Sequence, residues 1–249
     1  MRAMILIPTY NEASTVAELL HALAILRNTN EFAFDVTVID DNSPDKTAEI
    51  VESLGIEWIS VLKREKKDGL GNAYRAGFAH VLADESYDQI VTMDADGSHR
   101  VEDLPAMFAA INPGKSIVLG TRWIAGGSVL NWPRSRQLLS KSGTKYASLT
   151  LGIKLADLTG GFRIYSRQLL DSLKLSDMSA TGYCFQIEMA LAAHLADAKA
   201  TEVPITFVER VNGVSKMSRA IVIEALIQTT LWGVKRRLRP NADKLHYVK

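Results

Sequence analysis

The stretch Ile90-Val91-Thr92-Met93-Asp94-Ala95-Asp96-Gly97-Ser98-His99 decides how the rest of the chain is interpreted. Its apolar, β-branched beginning is typical of a strand buried on both faces. Because alternate residues of an extended chain point the same way, Asp94 and Asp96 can face one point just past the strand. Two like charges held close together need a cation or a proton between them. Mg²⁺ suits such a site, since it is usually held by one or two carboxylates together with phosphates and water.

The same two carboxylates also have a simpler interpretation. Asp94 or Asp96 could instead cap the helix that the sequence predicts from Val101 to Ile111. An Asp-x-Asp motif alone does not distinguish a helix cap from a metal site. The residues at the ends of the other predicted strands are therefore needed to distinguish a metal site from a helix cap.

Up to Arg122 the sequence alternates predicted strands and helices in the order β-α-β-α-β-α-β-α-β. This order is typical of an α/β fold with a mostly parallel, doubly wound sheet and helices on both faces. In such sheets the carboxyl ends of the strands line one crevice, which favours a metal and ligand site over a simple cap. Polar residues follow four of the predicted strands: Tyr10 and Glu12, Asp40 and Asp41, Asp94 and Asp96, and Arg122.

The charge balance neither excludes nor favours a particular kind of partner. The 249 residues include 29 Lys and Arg against 28 Asp and Glu, so the basic excess typical of nucleic-acid-binding proteins is missing. Cys184 is the only cysteine, which excludes an intramolecular disulfide and fits a reducing compartment. We expect no signal peptide and no transmembrane segment, because the longest weakly charged stretch, Ala220 to Val234, is shorter than the ~20 residues that a spanning helix needs.

Two common nucleotide-binding motifs do not occur. The first predicted strand is not followed by G-x-G-x-x-G, which disfavours a dinucleotide cofactor. The chain also lacks G-x-x-x-x-G-K-[ST], which argues against a P-loop NTPase.

Beyond Arg122 the sequence predicts a basic helix from Arg134 to about Gly152, a helix from Gly182 to Leu195 and an alternating strand from Thr201 to Glu209. A last helix begins near Ser218 and runs into the basic run at residues 235–239. We interpret residues 1–217 as one catalytic domain and residues 218–249 as its amphipathic, basic helical tail. The tail either packs on the sheet or binds a membrane surface with apolar residues at helical spacing: Ile223, Leu226, Ile227, Thr230, Leu231 and Val234.

Several motifs, in this order, resemble those of family 2 glycosyltransferases with a GT-A, Rossmann-like fold: Pro8-Thr9-Tyr10-Asn11-Glu12, Asp40-Asp41-Asn42-Ser43-Pro44-Asp45 and Asp94-Ala95-Asp96. Later segments narrow the resemblance to the dolichol-phosphate mannosyltransferases, also called polyprenol monophosphomannose synthases. These segments are Arg64-Glu65-Lys66-Lys67 with Gly69-Leu70-Gly71, Gly120-Thr121-Arg122, Asp157-Leu158-Thr159-Gly160-Gly161-Phe162-Arg163, and Val208-Glu209-Arg210 with Gly213-Val214-Ser215-Lys216. The resemblance runs from about Ala3 to Met217.

The resemblance implies that GDP-mannose lies across the strand ends. Asp94, Ala95 and Asp96 would bind its diphosphate and a Mg²⁺ or Mn²⁺ ion. Ser98 stands where many members carry a longer glutamine ligand, so it would reach the metal through water. The other donor-binding residues implied are Pro8, Tyr10 and Glu12 at the guanosine end, Ile39 and Asp41 near base and ribose, and Arg122, Arg210 and Lys216 on the diphosphate and mannose side.

On the acceptor side the resemblance implies that Arg122, Arg136 and Ser140 hold the phosphate of a polyprenyl phosphate. With Asp94, Asp96 and Arg122 as catalytic residues, the implied reaction is an inverting, metal-dependent transfer of mannose from GDP-mannose. A phosphate monoester has a second pKa near ~6, so it is already a nucleophilic anion at neutral pH. The enzyme then needs cations rather than a general base, and arginine binds phosphate oxygens in pairs.

A lipid-linked acceptor also implies that the enzyme acts at a membrane. Since no segment is expected to span the bilayer, we expect peripheral binding at the cytoplasmic face of the membrane. An integral-membrane partner or a fused domain would assist it.

Other interpretations remain open at this level. A polyprenyl-phosphate glucosyltransferase using UDP-glucose would share most motifs, and a catalytically silent GT-A domain could serve as a scaffold or membrane adaptor. A Mg²⁺-dependent nucleotidyltransferase should carry a glycine-rich phosphate loop after its first strand, where this chain has Pro8-Thr9-Tyr10. We interpret Gln186 and Glu188 as a structural pair beneath the site, with a catalytic role for them as the alternative.

Overall fold

The computed structural model describes residues 1–29, 32–182, 184–209, 219–238 and 240–249. The strands are β1 (Arg2–Thr9), β2 (Ala33–Asp40), β3 (Ile59–Lys63), β4 (Gln89–Thr92), β5 (Ser116–Thr121), β6 (Ser128–Leu130), β7 (Arg163–Ser166), β8 (Lys199–Pro204) and β9 (Thr206–Val208). The helices are α1 (Val16–Thr29), α2 (Thr47–Ser53), α3 (Leu70–Leu82), α4 (Leu104–Ala109), α5 (Arg134–Leu151), α6 (Arg167–Asp171), α7 (Phe185–Leu195), α8 (Arg219–Leu238) and α9 (Pro240–Tyr247).

The main sheet has seven strands in the order β3-β2-β1-β4-β7-β5-β8, and β6 pairs with β9 in a separate two-stranded sheet. All neighbours in the main sheet run parallel except β7, which is antiparallel to both β4 and β5. The chain leaves β1 towards β2 and later returns to its other side as β4. The ends of β1 and β4 therefore flank the point where strand order reverses, which is where such sheets bind ligands.

Side chains of β1 alternate between two cores, one on each face of the sheet. Ile5 and Ile7 belong to a core shared with α1, α2 and α4. Met4 and Leu6 belong to a core shared with α3, α6 and α7, to which α5, α8 and α9 also contribute. The predicted mostly parallel sheet with helices on both faces is confirmed.

Several details differ from the sequence-based expectation. The helix predicted from Val101 to Ile111 is the shorter α4, and the helix predicted from Gly182 begins as α7 at Phe185. The predicted strand from Thr201 to Glu209 is two strands, because the chain passes from β8 in the main sheet to β9 in the small sheet around Ile205. The last predicted helix ends at Leu238 and is followed by α9, which begins with a proline, a residue favoured at helix starts.

Helix α8 lies against the protein with Thr229 and Trp232 buried, and Arg236 donates to the Leu151 carbonyl oxygen at 2.6 Å. Most apolar residues of the stripe predicted in the last helix are exposed and do not pack on the sheet: Ile223, Leu226, Ile227, Leu231 and Val234.

In the described part of the chain, no helix is both long and apolar enough to cross a membrane.

Gly71, in the first turn of α3, provides a test of the packing between α3 and the segment before α7. Its N–H donates to the Thr181 carbonyl oxygen at 2.7 Å, and a Cβ here would clash with the Ala180 carbonyl oxygen. We expect Gly71→Ala to lower the free energy of unfolding by about 1–3 kcal/mol, because backbone atoms cannot move aside cheaply. Urea denaturation measures this. Gly143→Ala is the control, since a Cβ at Gly143 meets nothing within 4 Å; equal stability of both variants would contradict the prediction.

Candidate active site

The loop after β4 holds Asp94 and Asp96 in place through short contacts. Gly97 adopts a φ of 74°, which turns the chain so that the Ser98 N–H donates to Asp96 Oδ1 at 3.0 Å. The Asp94 N–H donates to His99 Nδ1 at 2.9 Å, and His99 Nε2 lies 3.7 Å from Asp94 Oδ2. An imidazole that accepts at Nδ1 carries its proton on Nε2 when neutral. His99 therefore contacts Asp94 through both the backbone and the carboxylate.

His99 is itself fixed by aromatic neighbours. Its ring stacks on Phe162 with centroids 4.9 Å apart, and Phe207 meets it edge-on at 5.5 Å. Ser98 is tied to the same region, because its carbonyl oxygen accepts from the Val208 N–H at 3.1 Å. These contacts make His99 a rigid support for Asp94.

The oxygen atoms of the side chains after β4 fit a divalent cation whose remaining ligands come from a substrate. It offers the carboxylates of Asp94 and Asp96 and the hydroxyl of Ser98, and the Asp94 side chain keeps 35% of its surface exposed. Across the described residues, no group of three or more His, Cys, Asp and Glu side chains could hold a metal ion alone. Mg²⁺ is commonly bound by one or two carboxylates plus substrate phosphates and water, so Asp94 and Asp96 could contribute to such a site.

The ends of β1 and β2 lie beside this loop. Lys67 Nζ stands 4.0 Å from the centre of the Tyr10 ring, a cation–π contact. The Asp41 carboxylate accepts from Arg64 at 2.5 Å, and Arg64 also pairs with Asp68. Burial raises the pKa of Asp41, and the charge of Arg64 only partly offsets this. Asp41 is thus a buried carboxylate already supplied with one cation.

The structure limits how Ile39 could act. Its side chain is fully buried and faces Gly77 of α3, so only the backbone of Ile39 could approach a nucleotide. Pro8 and Glu12 lie at the end of β1, where the Glu12 carbonyl oxygen accepts from the N–H groups of Thr15 and Val16.

Arg122, directly after β5, is locked in one orientation. Its Nε donates to Asp157 Oδ2 at 2.6 Å and its Nη2 to Asp157 Oδ1 at 2.8 Å, a two-point ion pair, and Nη2 also reaches Thr159 Oγ1 at 2.8 Å. Burial would raise the pKa of Asp157, but the charge and hydrogen bonds of Arg122 outweigh burial and hold it below its usual range. The ion pair therefore stays charged at neutral pH.

Aromatic rings bring the two predicted acceptor arginines together. The rings of Trp123, Trp132 and Phe207 each lie 5.3 Å from the Arg122 guanidinium carbon. Trp132 also contacts Arg136, whose guanidinium carbon lies 4.1 Å from a ring centre of Trp132. Arg136 pairs with Glu209 at 2.5 Å. One tryptophan thus sets the spacing between the two cations.

The remaining predicted site residues divide into two groups. Ser140 lies one turn after Arg136 on α5 and is buried. Arg210 and Lys216 lie outside the described residues. From the sequence we interpret His99 as a turn or supporting residue rather than a ligand, and Trp132 as a packing anchor or an interfacial residue. The support that Asp157 gives to Arg122 was not predicted. The only signal for Asp157 was its place at the start of the Asp157–Arg163 motif.

The chain is similar to known proteins over most of its length. Residues 4–174 match the model of Glycosyl transferase family 2. The chain is 42% identical over 239 residues to an undecaprenyl-phosphate mannosyltransferase of Micrococcus luteus, covering 95% of this chain and 96% of the relative. It is 38% identical over 244 residues to a polyprenol monophosphomannose synthase of Mycolicibacterium smegmatis, covering 95% and 89%.

Among solved structures, glucosyl-3-phosphoglycerate synthase from Mycobacterium tuberculosis in complex with Mn²⁺, UDP and glucosyl-3-phosphoglycerate is similar, with a TM-score of 0.68 and 19% identity. The match covers 93% of this chain and 79% of that one. At this level of identity the likeness concerns the fold alone. The family match and the two relatives go further, and together they show that this chain belongs to glycosyltransferase family 2.

Proposed function

We propose that the chain transfers mannose from GDP-mannose to the phosphate of a polyprenyl phosphate, with inversion at the anomeric carbon, releasing GDP. The observation that carries the proposal is the position of Arg122, held by Asp157 and three aromatic rings at the end of β5. The two relatives of 42% and 38% identity, whose names describe mannose transfer to, or mannose on, polyprenyl phosphates, support the choice of sugar and acceptor.

The reaction has to bring two anions together. The diphosphate of the donor would lie at Asp94 and Asp96, and the acceptor phosphate at Arg122 and Arg136. The Asp157 ion pair fixes the orientation of Arg122, and Trp132 contacts both Arg122 and Arg136. Preorganised cations of this kind lower the cost of bringing the phosphate up to the sugar.

In the reaction a phosphate oxygen of the acceptor forms a bond to the anomeric carbon of mannose, and the bond from that carbon to the diphosphate oxygen breaks. The acceptor is a nucleophilic anion at neutral pH, since its second pKa is ~6. The chain therefore does not need to remove a proton. His99 is not positioned for that task, because its Nδ1 accepts from the Asp94 N–H and its Nε2 faces the Asp94 carboxylate.

A bound Mg²⁺ or Mn²⁺ would neutralise the charge that develops on the leaving diphosphate. Asp94 and Asp96 would hold it directly, and Ser98 directly or through water. Arg210 and Lys216 would add positive charge on the same side.

An assay with purified chain, GDP-[¹⁴C]mannose, polyprenyl phosphate and Mg²⁺ or Mn²⁺ tests the proposal. We expect a lipid-extractable product that mild acid cleaves. A parallel reaction with labelled UDP-glucose distinguishes a glucosyltransferase. Failure with both donors, together with metal-dependent GDP binding, would instead indicate a silent adaptor.

We further propose that the chain works at the cytoplasmic face of the membrane, docked through an α5–α8 surface and assisted by an integral-membrane partner or fused domain. The Tyr146 hydroxyl of α5 and Thr230 Oγ1 of α8 lie 2.6 Å apart, so the two helices present one face. Arg136 and Ser140, the expected acceptor-phosphate residues, lie on the same helix α5. The α5–α8 surface consists of the exposed residues Leu138, Leu139, Tyr146, Leu149, Ile223, Leu226, Ile227, Leu231 and Val234.

Charge supports an anionic bilayer as the occupant of the α5–α8 surface. Lys141, Lys145, Lys235 and Arg237 are exposed on the same two helices. Each cation near an anionic leaflet contributes about 1 kcal/mol to binding. Contiguous apolar surface bordered by cations is typical of an interfacial membrane contact.

The metal role of Asp96 is tested by Asp96→Asn, which preserves shape, and Asp96→Ala. We expect a fall in kcat of about 10²-fold or more, because the carboxylate acts on the leaving diphosphate through the cation. Steady-state kinetics and isothermal titration with GDP, with and without Mn²⁺, measure the effect. Asp171→Ala, at an exposed carboxylate on α6, is the control. Metal-dependent turnover near the wild-type level in Asp96→Asn would show that the metal site is wrongly assigned.

Arg136→Ala separates acceptor binding from donor binding. A hydrogen bond to a charged group contributes roughly 1.5–3 kcal/mol, so the KM for polyprenyl phosphate should rise by about 10- to 100-fold. The KM for GDP-mannose should stay within about twofold. Arg134→Ala, an exposed arginine on the same helix, is the matched control. An equal rise in both KM values would contradict the assignment.

The docking surface is tested by the double substitution Ile227→Asp and Leu231→Asp. These residues lie one turn apart on α8 and are exposed, so the fold should tolerate them. We expect loss of flotation with anionic liposomes, since charge is costly in the acyl region, while activity on a water-soluble short-chain acceptor stays intact. Ile25→Asp, at an exposed isoleucine on α1, is the control. Unchanged flotation of the double variant would overturn the proposed surface.

A further inference from the structure

Glu209, the residue after β9, occupies the guanidinium that is expected to bind the acceptor phosphate. Arg136 Nη1 donates to Glu209 Oε1 at 2.5 Å, and the Arg136 and Glu209 side chains keep 25% and 30% of their surface exposed. A carboxylate offers a guanidinium a pair of acceptor oxygens, as a phosphate does. A phosphate that binds Arg136 therefore has to compete with this carboxylate.

Each arginine of the expected acceptor site already faces a carboxylate. Arg122 pairs with Asp157 and Arg136 with Glu209, so these four charges cancel. A phosphate monoester carries a charge of about −1.5 to −2 at pH 7. A balanced set of charges has little net attraction for such an anion. One of the two carboxylates therefore has to withdraw when the phosphate binds.

Asp157 cannot withdraw. Its side chain is fully buried, and besides Arg122 it accepts from the N–H groups of Thr159 and Gly160, each at 3.2 Å. Breaking a buried pair of this kind leaves an uncompensated charge in the interior, which is strongly unfavourable. Asp157 is therefore a permanent partner of Arg122.

Glu209 can withdraw by rotation of its side chain alone. Its backbone is fixed, because its N–H donates to the Leu130 carbonyl oxygen at 3.1 Å and the preceding Val208 N–H donates to the Ser98 carbonyl oxygen at 3.1 Å. Within the described part of the chain its carboxylate pairs only with Arg136. A partly exposed ion pair contributes little to stability, so water can replace Arg136 at low cost.

Arg136 stays in place when the carboxylate turns away. Its guanidinium carbon lies 4.1 Å from a ring centre of Trp132, and this cation–π contact does not involve Glu209. The arginine is thus held for an incoming phosphate independently of its present partner.

We propose that Glu209 is the exchangeable counter-ion of the acceptor site: it neutralises Arg136 when the site is empty, turns into water when the phosphate monoester binds, and returns when the product leaves. This inference rests on the proposed function and deepens it. After mannose transfer the phosphate is a diester with a single negative charge, so it competes less well for Arg136. Glu209 acts through Arg136 as a positioning residue that promotes product release.

Isothermal titration with a water-soluble, short-chain prenyl phosphate, without any sugar donor, tests the exchange. Glu209→Gln keeps the shape of the side chain and removes its charge. We expect the Kd to fall by about 3- to 10-fold, because Arg136 is no longer occupied. In the Arg136→Ala background the same substitution should change the Kd by less than about twofold.

Asp197→Asn is the matched control. It removes one carboxylate from an exposed ion pair, that of Asp197 with Lys244 at 2.7 Å, and asparagine tolerates the φ of 58° at this position. Its Kd should stay within about twofold of the wild type. If Glu209 only oriented Arg136, Glu209→Gln would bind the monoester more weakly. Weaker or unchanged binding, or an equal gain without Arg136, would overturn the proposal.

A second titration, with the short-chain prenyl mannosyl phosphate, tests the part played in product release. In Glu209→Gln the Kd of this diester should also fall by about 3-fold or more, and kcat in a steady-state assay should not rise. Unchanged binding of the diester would overturn the role in release. If the monoester binds as expected but no mannose is transferred, the proposed function is wrong and the counter-ion role stands, because both titrations are made without donor.

Discussion

The buried guanidinium of Arg163 joins the three segments that form the candidate site. It donates to the carbonyl oxygens of Leu158 at 2.9 Å, Gly160 at 2.9 Å and Gln186 at 2.6 Å. A cation removed from water is costly unless its donors are paired, and these carbonyl groups pair three of them. The turn before β7 and the start of α7 are therefore fixed to the sheet by one side chain.

The direction of β7 explains why this matters. Because β7 runs antiparallel to β4 and β5, its first residue lies opposite Thr92 and Leu119, near the ends of those strands. The turn that precedes β7 thus enters the crevice from the side, and carries Asp157 to Arg122 and Gly161 to Asp94. In a wholly parallel sheet this position would hold a strand end in place of the turn.

Much of the fold followed from local sequence patterns. Apolar runs that end in polar residues predicted β1, β2, β4 and β5, and their shared edge followed from the geometry of parallel sheets. The antiparallel β7 was not predictable in the same way, since four residues with no clear period carry no information on direction. The division of Thr201–Glu209 between two sheets was equally hidden, because both strands alternate alike.

In the candidate site, too, some positions could be predicted from local sequence patterns and others could not. Asp94, Asp96 and Arg122 stand at strand ends, so their approximate positions followed from the order of elements. The residues that hold the side chains of the site in place could not be predicted in this way, because their pairing depends on side-chain contacts across the fold. These pairs are His99 with Asp94, Asp157 with Arg122, and Trp132 with Arg136. Ile39 shows a different limit. The family resemblance assigns it to the nucleotide site, yet its side chain points into the core, because side chains alternate between the two faces of a strand. The assigned binding roles of all these residues stay predictions.

The place of β7 in the sheet also sets the order in which the chain can fold. Strands β1, β2 and β3 pair with one another across short crossovers and can associate early. Strand β5 has only β7 and β8 as partners in the main sheet, and both come much later in the sequence. Closing such long segments is slow, because chain entropy is lost before the contacts form. We therefore expect the end of β5, which precedes Arg122, to assemble late, and the apolar edge of β5 to stay open to aggregation on the nascent chain until then.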